Sequence, residues 1–215
     1  MKILRLFLTV SFMFILASEV LAKEPVIIDR PILWTFEREK LIREYSMEHY
    51  GKDEVLIEPK AVVVHWTASN SADGVYKYFY DEKMSDGTLN VASHFLVDKN
   101  GAIYRLTREV ALNRHIIGYN WCAIGIENVG GKNGVEDLTE AQLEANIALI
   151  RYLKEKYPTI KYCFGHYQQD AARATGLFIE KVPDYYAKKI DPGKKFMYGL
   201  RKALSNELLF FDDDV

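Results

Sequence analysis

The chain has 215 residues, of which 49% are hydrophobic, and its formal net charge is -2 at pH 7. This length fits one domain, or one domain with extensions, and the apolar content is enough for a sizeable core and excludes an intrinsically disordered protein. The balanced charge leaves no basic field, so we expect no nucleic-acid partner.

Residues 1–22 have the pattern of a secretory signal peptide. Lys2 and Arg5 make the start basic, and residues 3–16 are almost entirely apolar apart from Arg5, Thr9 and Ser11. Residues 20–22 fit a small-residue cleavage site. The apolar stretch is shorter than the ~20 residues that span a bilayer, and an uncleaved N-terminal anchor is the alternative. We therefore expect a periplasmic or secreted protein with no stable membrane insertion after signal cleavage.

Residues 23–57 are predicted to form an N-terminal extension that contains one helix. Thr35 can cap its start, apolar residues follow at near-helical spacing, and Gly51 can end it because glycine readily takes positive φ. His49 is expected on the surface of this helix. At the other end of the chain, residues 205–215 are predicted to form an acidic tail.

Residues 58–204 are predicted to form the main domain, in which strands and helices alternate. Its predicted elements are a buried strand over 62–64, a short helix capped by Ser71 or Asp73, hairpin strands over 91–97 and 102–106, a strand over 123–129, a helix from Thr139 to just before Pro158, a strand over 160–164, a long loop over 168–188, and a final helix with Asp191 as N-cap. This order indicates an α/β fold: a single domain with a central mixed β-sheet flanked by helices.

Three potential metal ligands fall at predicted element boundaries: His65, His166 and Asp191. The two histidines each end a predicted strand, so both imidazoles emerge at one edge if those strands are neighbours in a sheet. Two neutral nitrogens and one carboxylate suit Zn²⁺ and leave a fourth position for water. The alternatives are histidines that only bond backbone carbonyls and an aspartate that only caps the final helix.

Two further charged residues are candidates for catalysis. Glu127 interrupts an otherwise apolar strand, where a carboxylate is costly unless it meets a charge, a metal or a pocket. Lys189 precedes Asp191 by two residues and would project near the same site. The alternatives are a glutamate on the solvated face of an edge strand and one more exposed lysine.

Cys122 and Cys163 each lie near a predicted strand in apolar company. A disulfide and two buried free thiols are both compatible with the sequence, because spacing alone cannot place two Cα atoms within bridging distance. Neither cysteine has a partnered histidine in its segment, so neither is expected to be catalytic.

Five segments carry a resemblance to a known family. They are residues 62–68 (VVVHWTA), 93–104 (SHFLVDKNGAIY), 123–127 (AIGIE), 165–166 (GH) and 189–193 (KIDPG). In this order they resemble the type 2 N-acetylmuramoyl-L-alanine amidases, a family that includes bacterial muropeptide amidases, phage amidase lysozymes and peptidoglycan recognition proteins. The resemblance covers about residues 58–200.

The resemblance implies a zinc site formed by His65, His166 and Asp191, with Glu127 and Lys189 as the catalytic pair. It also implies the reaction, which is hydrolysis of the amide between the lactyl group of N-acetylmuramic acid and L-alanine. The implied substrate is peptidoglycan or a muropeptide, and we expect the protein to act as a monomer.

Two residues are expected to contact the substrate. His115 lies in a segment, Arg-His-Ile-Ile-Gly, that stands where the family often has Trp-His-Ala-Gly, and Trp66 follows His65 directly. His94 matches a family histidine that is not usually a ligand. The alternatives to an amidase are a non-catalytic peptidoglycan-binding module of the same fold, which would lack a ligand or Glu127, and a zinc peptidase acting on the stem peptide.

Overall fold

The computed structural model describes residues 24–211 of the chain. The predicted signal peptide, residues 1–22, and the three aspartates of the predicted acidic tail, residues 212–214, lie outside the described residues. Within the part that is described, no helix is both long enough and apolar enough to cross a membrane.

One mixed β-sheet organises the described residues. Its strands are β1 (Ile27–Asp29), β2 (Ala61–Trp66), β3 (Phe95–Val97), β4 (Ile103–Arg105), β5 (Ala123–Asn128) and β6 (Tyr162–Gly165). Their spatial order is β1-β4-β3-β5-β2-β6, and neighbours are parallel except for the antiparallel hairpin of β3 and β4. The predicted fold class, an α/β domain with a central mixed sheet and flanking helices, is thereby confirmed.

The α-helices are α1 (Phe36–Tyr50), α2 (Ala72–Tyr80), α3 (Glu140–Lys156) and α4 (Lys194–Leu204). The side chain of Thr35 accepts a hydrogen bond from the backbone N–H of Glu37 and so caps α1, while Gly51 ends the helix with φ 68°. Thr139 and Gln142 form the capping box that begins α3. These helix ends agree with the sequence prediction.

The start of α4 differs from the prediction. We expected Asp191 at its N-cap, but Gly193 occupies that position and the helix begins at Lys194. The carboxylate of Asp191 lies within hydrogen-bond distance of His65 and His166 instead, so it is not available to the backbone amides of the helix. The prediction of an aspartate cap was therefore wrong.

The predicted hairpin strands and the predicted long loop also need correction. The strands β3 and β4 contain three residues each, so both are shorter than the predicted ranges 91–97 and 102–106. The segment 168–188, predicted to be a loop, includes a short 3₁₀ helix at Ala171–Thr175. This segment carries no clear hydrophobic period, and a single 3₁₀ turn leaves little periodic signal in a sequence.

The N-terminal segment contributes to the same sheet and core. Strand β1 pairs in parallel with β4 at the edge of the sheet. Leu41, Ile42 and Tyr45 of α1 belong to the main hydrophobic cluster, together with residues of α3, α4 and the central strands. Residues 24–55 are therefore part of the same sheet and hydrophobic core as the rest of the fold.

His49 is buried in the structure, so its predicted place on the helix surface was wrong. Its Nδ1 atom lies 2.8 Å from Oε1 of Glu180, and its backbone carbonyl accepts a hydrogen bond of 2.9 Å from the N–H of Lys181. The imidazole also contacts the rings of Tyr45 and Tyr185. The end of α1 is thereby tied to a loop that is far away in sequence.

The two cysteines are free, buried thiols. Cys163 packs in the main cluster with Val62, whereas Cys122 packs in a second cluster with Ala61 and Val63. Because successive residues of a strand point to opposite faces, these clusters lie on opposite sides of β2. Burial raises the pKa of the Cys122 thiol to about 12, and it raises the pKa of Cys163 as well. The disulfide alternative is therefore excluded in this fold, and both thiols are unreactive.

Candidate active site

Three adjacent parallel strands, β5, β2 and β6, end at one edge of the sheet. His65 on β2 is the register partner of Glu127 on β5, and Val64 is the partner of Gly165 on β6. His166 follows Gly165 directly and therefore lies beside His65. The sequence predicted that the two histidines would meet if their strands were neighbours, and the strand pairing fulfils that condition.

The side chains of His65, His166 and Asp191 converge on one point. The Nδ1 atoms of the two histidines lie 3.0 Å apart, and each lies 3.2 Å from Oδ2 of Asp191. All three side chains are buried. This is the group that the sequence predicted as metal ligands, and it can hold a metal ion by its donor atoms.

The donor set fits zinc in its chemistry and its spacing. Imidazole nitrogens and carboxylate oxygens are common zinc ligands, and tetrahedral bonds of ~2.0–2.1 Å place ligand atoms about 3.3 Å apart. The three observed separations, 3.0, 3.2 and 3.2 Å, are close to that value. Two imidazole nitrogens that face each other at 3.0 Å also need a proton or a cation between them, since two lone pairs repel.

The protonation states of the group suit a metal site. Burial and the neighbouring His65 lower the pKa of His166 to about 4, so its imidazole is neutral at pH 7. Burial alone would raise the pKa of Asp191, but its contacts with His166 and His65 bring it below its usual value. A neutral imidazole at His166 and an ionised carboxylate at Asp191 are the forms in which these side chains bind zinc.

Glu127 lies on the strand next to this group, where it is the register partner of His65. Burial, and next the charge of Asp191, raise the pKa of Glu127 well above its usual value, while the charge of Lys189 opposes that shift. Its Oε2 atom is buried and has no hydrogen-bond partner among the residues that the structure describes. A buried carboxylate oxygen without a partner is costly, which indicates a role in binding or catalysis.

A cavity of about 630 Å³ opens over these residues. Aromatic side chains line it, among them Trp66, Tyr78, Phe79, Tyr185 and Tyr186. Lys189, His115 and Arg114 line it too. The cavity is large enough for a small ligand, and it places polar groups on mostly apolar walls.

His115 lies behind His65 and also borders the cavity. Its Nδ1 atom is 3.1 Å from Nε2 of His65, and its own Nε2 is 3.1 Å from the carbonyl oxygen of Ala123. Burial, and next the charges of His65 and His94, lower its pKa well below the usual value. The contact of His115 with substrate remains a prediction. Its contact with His65 could not be predicted from the sequence, because 50 residues separate the two histidines.

His94 is a structural residue, in agreement with the expectation that it is not a ligand. Its Nδ1 accepts a hydrogen bond of 2.9 Å from the N–H of Gly125, and its Nε2 lies 2.8 Å from the carbonyl oxygen of Ala111. Burial lowers its pKa to about 4, so the ring is neutral. It connects the hairpin to β5 beside the site.

Arg114 also lines the cavity, and it was not among the site residues predicted from the sequence. Its guanidinium donates to the carbonyl oxygen of Leu89 at 2.7 Å, to the hydroxyl of Tyr185 at 3.0 Å and to that of Thr88 at 3.3 Å. Each of these acceptors is neutral, so the positive charge on the cavity wall is not balanced by them. Its position directly before His115, a predicted substrate contact, was the feature of the sequence that could have indicated it.

Comparison with known proteins decides the family. Residues 56–194 match the family model described as N-acetylmuramoyl-L-alanine amidase, which is more than half of the chain. The chain belongs to the type 2 N-acetylmuramoyl-L-alanine amidase family. Among curated relatives, the endolysin of Escherichia phage T7 is 30% identical over 102 residues, which is 45% of this chain and 68% of that protein. Family and relative together support an amidase-type function on peptidoglycan.

Solved structures share the amidase fold. The endolysin amidase LysCS from Clostridium intestinale URNW superimposes with a TM-score of 0.57 at 22% identity, over 86% of this chain and 98% of that one. An ectodomain complex of the peptidoglycan recognition proteins LCa and LCx, solved with bound tracheal cytotoxin, gives a TM-score of 0.54 at 18% identity, over 87% and 99% of the chains. At these identities the likeness establishes the fold alone.

Proposed function

We propose that this protein is a zinc-dependent N-acetylmuramoyl-L-alanine amidase that hydrolyses the amide between N-acetylmuramic acid and L-alanine in peptidoglycan or muropeptides. The observation that carries the proposal is the convergence of His65, His166 and Asp191 at the carboxyl ends of neighbouring parallel strands. Glu127 lies opposite His65 as its register partner. A recognition module needs the cavity alone, whereas hydrolysis needs this set of ligands beside a base.

The residues of the site divide the work of amide hydrolysis. His65, His166 and Asp191 would hold a zinc ion, which would supply the Lewis acidity that activates water and polarises an amide carbonyl. Glu127 accepts the proton of the attacking water and later delivers it to the nitrogen of the leaving L-alanine. Lys189 donates a hydrogen bond to the oxyanion that develops on the carbonyl oxygen.

The raised pKa of Glu127 suits this double role. A general base works best when its pKa lies near the working pH, since it must both take and return a proton. Burial raises the pKa of Glu127 and the charge of Lys189 lowers it in part. The same burial that makes this carboxylate costly in the fold therefore adapts it to proton transfer.

The cavity walls fit a sugar-linked peptide with acidic groups. Aromatic rings such as those of Tyr78 and Tyr186 offer apolar faces at the cavity, and both side chains are exposed. Arg114 and Lys189 add positive charge on the same walls. Trp66 also lines the cavity, in accord with the predicted substrate contact. A muropeptide combines the apolar faces of its sugars with peptide carboxylates, so its chemistry matches these walls.

The rival functions lack support from the site. A non-catalytic module of this fold would miss a ligand or the base, and all four side chains are present here. A zinc peptidase would need to recognise a peptide bond within the stem, and no separate feature of the described cavity favours that bond.

We further propose that the mature protein acts as a monomer in the periplasm or outside the cell, where peptidoglycan lies, after removal of residues 1–22.

Mass spectrometry of muropeptide digests tests the proposal. Zinc-loaded protein is expected to release peptides that begin with L-alanine and to leave sugars that retain the lactyl group without peptide. Cleavage inside the stem peptide would support the peptidase instead. Binding of muropeptides without any release, at one zinc per chain, would support the recognition module.

A further inference from the structure

We propose that His115 is a positioning residue that fixes the tautomer and the orientation of the ligand His65. The inference rests on the proposed zinc site and goes beyond it, because it assigns a role to a side chain that does not itself face the other ligands. Two distances carry it: 3.1 Å from Nε2 of His65 to Nδ1 of His115, and 3.1 Å from Nε2 of His115 to the carbonyl oxygen of Ala123.

The direction of each hydrogen bond follows from the end of this chain of atoms. A carbonyl oxygen only accepts, so the Nε2 atom of His115 carries a hydrogen and donates it to Ala123. In a neutral imidazole the other nitrogen is then an acceptor, so Nδ1 of His115 accepts from Nε2–H of His65. With its hydrogen on Nε2, His65 presents a bare Nδ1 atom, the atom that faces His166 and Asp191.

Gly125 makes room for the positioning ring. A Cβ atom at Gly125 would lie 2.7 Å from Nδ1 and 2.8 Å from Cγ of His115, closer than real Cβ contacts allow. The backbone N–H of Gly125 is meanwhile bonded to His94, whose ring makes an edge contact with that of His115. The glycine in the strand sequence Ala-Ile-Gly-Ile-Glu therefore has a definite role, which is to let an imidazole lie over the strand behind the ligand.

A partner behind a ligating histidine usually matters for metal affinity. Removing such a partner typically costs about 10- to 100-fold in affinity, because the ligand then samples other ring orientations and the wrong tautomer. His166 differs from His65 in this respect, since its Nε2 atom is buried without a partner among the described residues. The positioning at this site therefore depends on His115 in particular.

Zinc affinity of substituted proteins tests the proposal. We expect His115→Leu to raise the zinc dissociation constant about 10- to 100-fold in competition with a chromogenic chelator. His115→Asn places an amide oxygen near the position of Nδ1 and should recover part of that loss. Gly125→Ala leaves both histidines in the sequence but displaces the ring, so it should weaken zinc binding as well.

Ile124→Val is the matched control. It also changes a side chain of β5 by one carbon, next to Gly125, but Ile124 packs in the main cluster on the other face of the sheet. Its zinc affinity should equal that of the wild type. Thermal unfolding of each metal-free protein shows whether it folds, so that a lost zinc site is not confused with a lost fold.

Nitrogen-15 NMR of the wild-type, zinc-loaded protein tests the tautomers directly, without a substitution. Long-range spectra should show hydrogen on Nε2 of both His65 and His115, and none on Nδ1 of either. Hydrogen on Nδ1 of His115, or unchanged zinc affinity in His115→Leu and Gly125→Ala, would overturn the inference while leaving the amidase proposal intact. A wild-type protein that binds no zinc would overturn both.

Discussion

His65 and Glu127 face each other as register partners on two parallel strands, one as a candidate ligand and the other as the candidate base. Both belong to strands rather than to loops, so the distance between their backbones is set by the hydrogen-bonded ladder of the sheet. Elements of a rigid scaffold hold catalytic groups more accurately than mobile loops do. Because Glu127 is not one of the three proposed ligands, experiments can test its role separately from metal binding.

Glu127→Gln should retain zinc and lose turnover. The amide keeps the size of the side chain and can still donate and accept hydrogen bonds, but it cannot accept the proton of water. We expect turnover to fall by roughly 10²–10⁴, the usual contribution of a positioned base. Release of L-alanine-initiated peptides and zinc content per chain are the two measurements. Wild-type release from the zinc-loaded variant would show that Glu127 is structural.

His166→Ala provides the contrast, because it removes a proposed ligand. Zinc content and turnover should be lost together, since the remaining two ligands hold the metal poorly. Full activity of this variant after treatment with a chelator would contradict the assignment of the site.

The same Glu127→Gln substitution should stabilise the metal-free protein at alkaline pH. Burial raises the pKa of Glu127 in the folded state above the ~4.3 of an unfolded glutamate. Below the unfolded pKa the glutamate is protonated in both states, so its titration does not change the free energy of unfolding there. Above it the unfolded state ionises first, so the free energy of unfolding of the wild type falls as pH rises towards the folded pKa. The fall is about 1.4 kcal/mol for each pH unit that separates the two pKa values.

Denaturant unfolding of both chelator-treated proteins at pH 4 and pH 8 measures this difference. The variant should gain stability over the wild type between the two values, and the two proteins should be similar at pH 4. An equal difference at both pH values would mean that the carboxylate is not held out of solvent as the structure shows.

Lys189→Gln should reduce turnover by about 10²–10³, the loss typical of one removed oxyanion donor, with zinc content unchanged. Lys188→Gln is the matched control, because Lys188 is exposed and does not line the cavity. Initial rates on one muropeptide compare the three proteins. Equal rates for both variants would place the oxyanion contact elsewhere.

Arg114→Gln should weaken substrate binding more than the chemical step. If the guanidinium contacts a peptide carboxylate, its loss removes a charge-assisted hydrogen bond worth ~1.5–3 kcal/mol, or about 10- to 100-fold in kcat/KM. The change should appear mainly in KM, and a substrate with its peptide carboxylates amidated should show little difference between variant and wild type. A drop in kcat alone would contradict the proposed contact.

The sequence predicted what depends on local patterns and strand ends. The caps at Thr35 and Thr139 follow from short-range hydrogen bonding, and the meeting of His65 with His166 follows from two buried strands that each end in a histidine. The aspartate at 191 was misplaced as a helix cap because Asp-Pro before a helix has the same local pattern in either role.

Contacts between distant segments could not be predicted in this way. His115 approaches His65 across 50 residues, and His49 meets Glu180 across 131. Neither pair leaves a periodic trace, because each depends on how loops pack over the finished sheet. A polar residue such as histidine near the end of a helix is expected to be exposed to solvent as long as the loop that covers it is not known.

The edge pairing of β1 with β4 has a consequence for how the protein can be divided. The family match begins at residue 56, yet the strand that covers the outer side of β4 and the helix α1 both precede it. A chain cut at residue 56 would expose a row of unpaired N–H and C=O groups together with the apolar surface that Leu41, Ile42 and Tyr45 now cover. Such an edge is a template for pairing between molecules, so we expect a protein shortened at residue 56 to self-associate more readily than the longer chain.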